Sequence, residues 1–214
     1  MTTLNKIVYD IAHSQGREHE LDYIERLKFR VHGLRATIIR RDLDRNRFTP
    51  NIYLQTIGCL DMEFVDASSC CGVEVGCKVY RSTDRVPEPV RFKDRIPFYY
   101  VGTIDSKIEY APINRAALGT VGYSKFTAGM PRYYFDDGYI YVLGTLPKAV
   151  QVKGVFEYPN QLAPFSCDGK ACYDDDQPYP ISADLARDIT RTLLGEDVRT
   201  EQPDKDKDEV TIDG

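Results

Sequence analysis

The hydrophobic period of this chain changes near residue 50, and that change constrains the fold more than any other feature. Upstream, apolar residues recur at helical spacing. Leu4, Ile7, Val8 and Ile11 mark a short amphipathic helix over Leu4–His13, with a turn expected at Ser14–Gly16. From about Glu20 to Asp44 there is no proline, and Ile24, Leu27, Val31, Leu34 and Ile38 form an i, i+3, i+4, i+7 stripe, which predicts one long helix. Gly33 costs that helix about 1 kcal/mol relative to alanine, while acids near its start and arginines near its end suit the helix dipole. The stretch Arg45–Pro50 ends it.

Downstream the period is two. Ile52 and Leu54 alternate with Tyr53 and Gln55, then Leu60, Met62 and Phe64 alternate with Asp61 and Glu63, the pattern of half-buried strands. Further strands are expected at Glu74–Arg81, Pro89–Phe92, Phe98–Thr103, Tyr133–Phe135, Tyr139–Leu143 and Ala149–Tyr158. Asp136-Asp137-Gly138 supplies the turn of a hairpin running from Tyr133 to Val142. Ser182 is placed to cap a last helix over Ala183–Leu194, and Gly195 to close it. The expected fold class is α+β: an N-terminal helical pair, a central mostly antiparallel β-sheet or small barrel, and a C-terminal helix with an extended acidic arm. The corresponding divisions are 1–48, 49–180, 181–196 and 197–214, one domain overall plus the arm.

Charge is uneven along the chain. The net charge of −5 sits in the last nineteen residues, where Glu196–Gly214 carry eight acids and three bases, so the first 195 residues are balanced. Within them, Arg26 to Arg47 holds eight Lys or Arg against two Asp. Arg26, Arg30, Arg40, Arg41, Arg45 and Arg47 are the candidate interface residues, either an ordinary solvated face or a surface for acidic partners or nucleic acid. No aromatic platform is interleaved with them, which disfavours single-strand recognition. Fifteen Tyr and no Trp favour strands and contact surfaces. No apolar run approaches a membrane span, and the start alternates charged and apolar positions, so folding in the cytoplasm is expected.

A reducing compartment makes reduced thiols the expected state of the six cysteines. Two alternatives stay open. Cys70, Cys71 and Cys77 could join Cys167 and Cys172 in a thiolate zinc site, although the spacing is loose and no His is near; a disulfide could also link Cys167 to Cys172. Asp174-Asp175-Asp176 lacks the spaced ligands of a calcium loop and reads as a solvated turn. Neither a phosphate-binding glycine loop nor a local nucleophile–base signature is present. No catalytic residue and no cofactor are expected; the rival classes are a small zinc-binding module, a cysteine enzyme and a non-viral assembly subunit.

The order of signals resembles a known family. A short helix precedes a long arginine-rich helix ending in Ile39-Arg-Arg-Asp-Leu43; then come Gly58-Cys59-Leu60, the Cys70-Cys71 pair and strands around Pro87 and Pro89. Tyr100-Val-Gly-Thr-Ile-Asp105, Asp137-Gly-Tyr-Ile-Tyr141, Gly154-Val-Phe-Glu-Tyr-Pro159 and a last helix with an acidic tail follow. Together they resemble the head-to-tail connector, or ring, proteins of short-tailed bacteriophages, particularly the crAss-like phages. The resemblance implies a structural virion protein without a cofactor that assembles into a ring, usually of twelve copies, under the portal. Such a ring widens the DNA exit channel and docks the tail, with self, portal, neighbouring ring or tail proteins and genomic DNA as partners and the virion neck as its place. The basic helix is then expected to face an acidic portal surface or DNA, and the acidic tail to thread onto a neighbour's basic groove.

Overall fold

The computed structural model describes residues 2–45, 49–66, 78–93, 97–120, 129–167 and 170–201. Helix α1 (Leu4–Ser14) starts at Thr3, whose hydroxyl accepts the Lys6 backbone N–H at 3.2 Å, and buries Leu4, Ile7, Val8 and Ile11. It closes with Gly16 at φ 67°, a left-handed position that glycine takes without steric cost. Helix α2 (Leu21–Arg45) packs against α1. Its buried line differs from the expected one: Leu34 and Ile38 are only half-buried, and the core positions are Leu27, Val31, Arg35, Ile39 and Leu43, a continuous i+4 ladder. Helix α3 (Ala183–Glu201) is capped by Ser182, whose Oγ accepts the Leu185 N–H at 3.3 Å. Gly195 does not end it; the helix runs through that residue, because the glycine keeps a negative φ. The acidic arm beyond Glu201 lies outside the described residues.

Seven strands follow the order β3-β7-β1-β2-β6-β5-β4: β1 (Gln55–Asp66), β2 (Lys78–Ser82), β3 (Phe98–Gly102), β4 (Ala111–Pro112), β5 (Arg132–Asp136), β6 (Tyr139–Leu143) and β7 (Ala149–Gly154). All neighbours are antiparallel except β4 with β5. The twelve-residue β1 pairs with β7 through its first half and with β2 through its second, with a register shift between Ile57 and Leu60. Such a strand, shared between two sheet directions, bends the sheet round on itself. The two ends meet where Gly102 bridges Glu109 and the Tyr110 N–H donates to Val101 O at 2.8 Å, so the sheet is a nearly closed barrel. Only glycine fits at 102, since a Cβ there would overlap the Ile108 carbonyl oxygen. Ile57, Leu60, Val101, Tyr133, Ile140, Val142, Val150 and Val152 belong to a single core cluster with the apolar faces of the three helices.

The hairpin at Asp137-Gly138 forms as expected: both residues have positive φ (48° and 79°), which two-residue hairpin turns require. Other expectations shift. Asn51–Tyr53 is a single 3-10 turn after Pro50, and it reverses the predicted alternation: Tyr53 and Gln55 are buried, while Ile52 faces solvent. Phe64, at the far end of β1, is also exposed. Around Pro89, which has no N–H to give to a ladder, there is one bridge to Phe156 in place of a strand. The strand expected over Ala149–Tyr158 ends at Gly154, and of Glu74–Arg81 the described part is β2.

Candidate assembly surfaces

The arginines of α2 divide into two groups. Arg26, Arg40, Arg41 and Arg45 are exposed and Arg30 is half-buried; Arg47 lies outside the described residues. Arg26 turns back on its own helix, donating from Nε to Asp22 O at 3.2 Å. Arg40, Arg41 and Arg45 crowd the C-terminal end of α2, where cations offset the partial negative charge of the unpaired carbonyls. Asp42 and Asp44 interleave with them, and Asp44 accepts the Lys93 N–H at 3.2 Å, so this end is a mixed-charge surface with a small basic excess. Lys28 adds little to the basic face, since Glu25 and Asp175 each lie 3.1 Å from its Nζ.

Arg35 belongs to neither solvent nor any carboxylate. Its side chain is fully buried, and its fork donates to three backbone carbonyls: Nε to Pro180 at 2.9 Å, Nη1 to Phe156 at 2.9 Å and Nη2 to Tyr53 at 3.4 Å. These carbonyls lie before β1, after β7 and before α3, so one guanidinium ties the helical layer to three connections of the barrel. Burial lowers the Arg35 pKa, against neighbouring tyrosines that raise it. One turn back, His32 is 2% exposed with Nδ1 2.7 Å from the Tyr179 hydroxyl, and its pKa is lowered to about 4, first by burial and then by the charge of Arg35. Burial likewise raises the Tyr179 pKa. Sequence reasoning missed this hub; the available signal was the position of Arg35 midway along the ladder Leu27, Val31, Ile39, Leu43.

Exposed apolar side chains gather in one patch on the outside of the barrel and recur at a second place. On the wall formed by β1, β2, β6 and β5, Tyr134 and Tyr141 stack with centroids 4.5 Å apart and 2° between planes, and Phe64 packs on Tyr80 at 4.7 Å. Leu146, 64% exposed, joins them around a depression of about 350 Å³. On β3 and the turn after it, Tyr99, Ile104 and Ile108 are exposed; a bulge between Phe98 and Tyr100 accompanies the outward position of Tyr99. Around a seven-stranded barrel, β3 and the β2–β6 pair are as far apart as the strand order allows.

The cysteine candidates fall only partly within the described residues. Cys70, Cys71 and Cys77 lie outside the described residues, Cys167 falls on the two-residue strand β8 (Ser166–Cys167), which pairs with β9 (Lys170–Ala171), and Cys172 is half-buried just beyond. Among the described residues no three His, Cys, Asp or Glu side chains are grouped as metal ligands. The Asp174–Asp176 turn is held internally: Asp174 accepts the Asp176 N–H at 3.0 Å, Asp175 pairs with Lys28, and Asp176 accepts from Asn5 Nδ2 at 2.7 Å. Among the described residues, no helix is long and apolar enough to cross a membrane.

The geometry is thus one of tied connections and outward-facing contact patches, arranged round a barrel. No curated protein matches the chain. A family model described as phage tail ring protein 2, of the crAss-like phages, matches residues 6–210. With nearly its whole length matched, the chain belongs to the phage tail ring protein 2 family.

Proposed function

We propose that the chain is a structural subunit, without chemistry of its own, of a ring stacked between portal and tail in the virion neck. The ring assembles in the host cytoplasm, forms part of the DNA exit channel and helps dock the tail. The observation that carries this reading, beside family membership, is exposed apolar surface at two unlike places, an aromatic patch on the β2–β6 wall and single apolar side chains on β3 and its following turn. A closed cyclic ring is built from heterologous contacts, in which one face of each subunit meets a different face of the next. The wall of Phe64, Tyr80, Tyr134 and Tyr141 and the exposed Tyr99, Ile104 and Ile108 at β3 and its turn lie far enough apart in the strand order to serve as two such faces.

The basic end of α2 fits an acidic protein surface better than a phosphate track, because Asp42 and Asp44 stand among Arg40, Arg41 and Arg45. Portal contact is therefore the favoured role for that end. The test is the native mass of the purified chain alone and with the portal protein of the same phage. Assembly at a fixed ratio matching the portal, with twelve copies expected, supports the reading; a chain that stays monomeric in both samples refutes it.

A further inference from the structure

Between α1 and α3 runs a groove of about 680 Å³ that neither the core nor the barrel patches account for. Its floor is apolar, lined by Ile7, Ala186 and Leu194. Three exposed cations stand over it, Lys6, Arg187 and Arg191, against one acid in the lining, Asp10. Arg187 is only loosely engaged, 3.8 Å from an Asp184 that is itself almost fully exposed, so its charge remains available to a ligand.

We infer that this groove receives the acidic C-terminal segment, residues 202–214, of a neighbouring copy of the chain. The inference rests on the ring reading and adds to it a second link between subunits. Charge complementarity is the first argument: residues 202–214 carry five acids and two lysines, opposite in sign to the groove's rim. The second is the pattern of the segment, in which Val210 and Ile212 alternate with Glu209, Thr211 and Asp213. An extended strand with that alternation sets its two aliphatic side chains on one side, matching an apolar floor, and two carboxylates on the other. The third is reach. The groove is lined by residues up to Leu194 and α3 continues to Glu201, about 10 Å further along its axis, so the segment starts beyond the end of its own groove. Thirteen residues can extend by roughly 43 Å at about 3.3 Å each, longer than the roughly 30 Å diameter of a small domain.

The experiment places a photoreactive benzophenone amino acid at Ile212 in the full-length chain and mixes ¹⁵N-labelled with unlabelled copies under conditions where the wild type assembles. After irradiation, cross-linked peptides are mapped by mass spectrometry. The expected result is adducts on α1 and on residues 183–194, in mixed-isotope pairs. Their yield should fall at least about fivefold in Arg187→Glu/Arg191→Glu, stay near wild type in Arg187→Lys/Arg191→Lys, and drop with added salt as exposed charges are screened. Adducts that are only light–light or heavy–heavy mean the segment folds onto its own chain and overturn the inference, as do adducts elsewhere or an unchanged yield in the charge-reversed variant. The ring reading has a separate readout: if the native mass shows assembly while the cross-link fails, only the inference falls, whereas a wild type that never assembles defeats the ring reading itself.

Discussion

Arg35 and the Arg40–Arg41 pair sit about one and a half helical turns apart on α2 and carry the same group, yet they do opposite work. Arg35 is fully buried with three backbone carbonyls as partners, while Arg40 and Arg41 project into solvent beside Asp42. The difference comes from the phase of the helix: position 35 lies on the i+4 ladder that faces the barrel, and 40 and 41 lie off it. A buried guanidinium is tolerable because its planar donors fit the three converging chain segments, a match that a lysine ammonium cannot reproduce. Residue type alone therefore says little about an arginine's role; the face it occupies decides.

That contrast can be broken most forcefully at Arg35. Arg35→Met should cost about 3–5 kcal/mol, because three buried carbonyls lose their donor together, measured by urea unfolding at constant m-value. A loss below about 1 kcal/mol would mean that the connections hold without it.

His32 offers a smaller and pH-dependent probe of the same interior. Its native pKa, lowered to about 4, lies below the ordinary value of 6.5. Protons are then taken up by the unfolded chain first, so His32 contributes its full stability above pH 6.5 and loses it as pH falls towards 4. The slope should be about 1.4 kcal/mol per pH unit in that window. Comparing unfolding free energies of wild type and His32→Gln between pH 7 and 4 isolates it from the carboxylates; parallel curves would contradict the buried neutral imidazole.

The smallest effect on stability belongs to the surface pair. Arg40→Glu/Arg41→Glu should lower the unfolding free energy by only about 1 kcal/mol, since two cations near the C-terminal end of α2 become anions, yet weaken association with the portal in native mass measurements. If the variant binds the portal as well as wild type, the basic end of α2 is only a solvated face.

Much of the architecture was legible in the sequence because local chemistry and burial agreed there. The Asp137-Gly138 turn demanded positive φ and obtained it, and the α1 residues Leu4, Ile7, Val8 and Ile11 are all core. Legibility failed where one residue reset the phase. The 3-10 turn after Pro50 put Tyr53 inside and Ile52 outside, the reverse of what alternation indicated. Arg35 was invisible for a related reason: an apolar ladder interrupted by a charge reads as the edge of a stripe, and the three carbonyls that satisfy it are 18 to 145 residues away. The outer aromatic wall was hidden too, since Tyr80, Tyr134 and Tyr141 show the same alternation as strand residues that face a core.

The near-closure of the barrel at Gly102–Glu109 has a consequence for the life of the subunit before it is used. An open sheet ends in rows of unpaired amides that recruit further strands from any copy nearby, and a subunit that must assemble with other chains meets such copies. Among the described residues, the joined seam removes one such edge, between β3 and the start of β4. Association then depends on side-chain surfaces, whose geometry can specify a finite ring where a bare strand edge would specify a fibre.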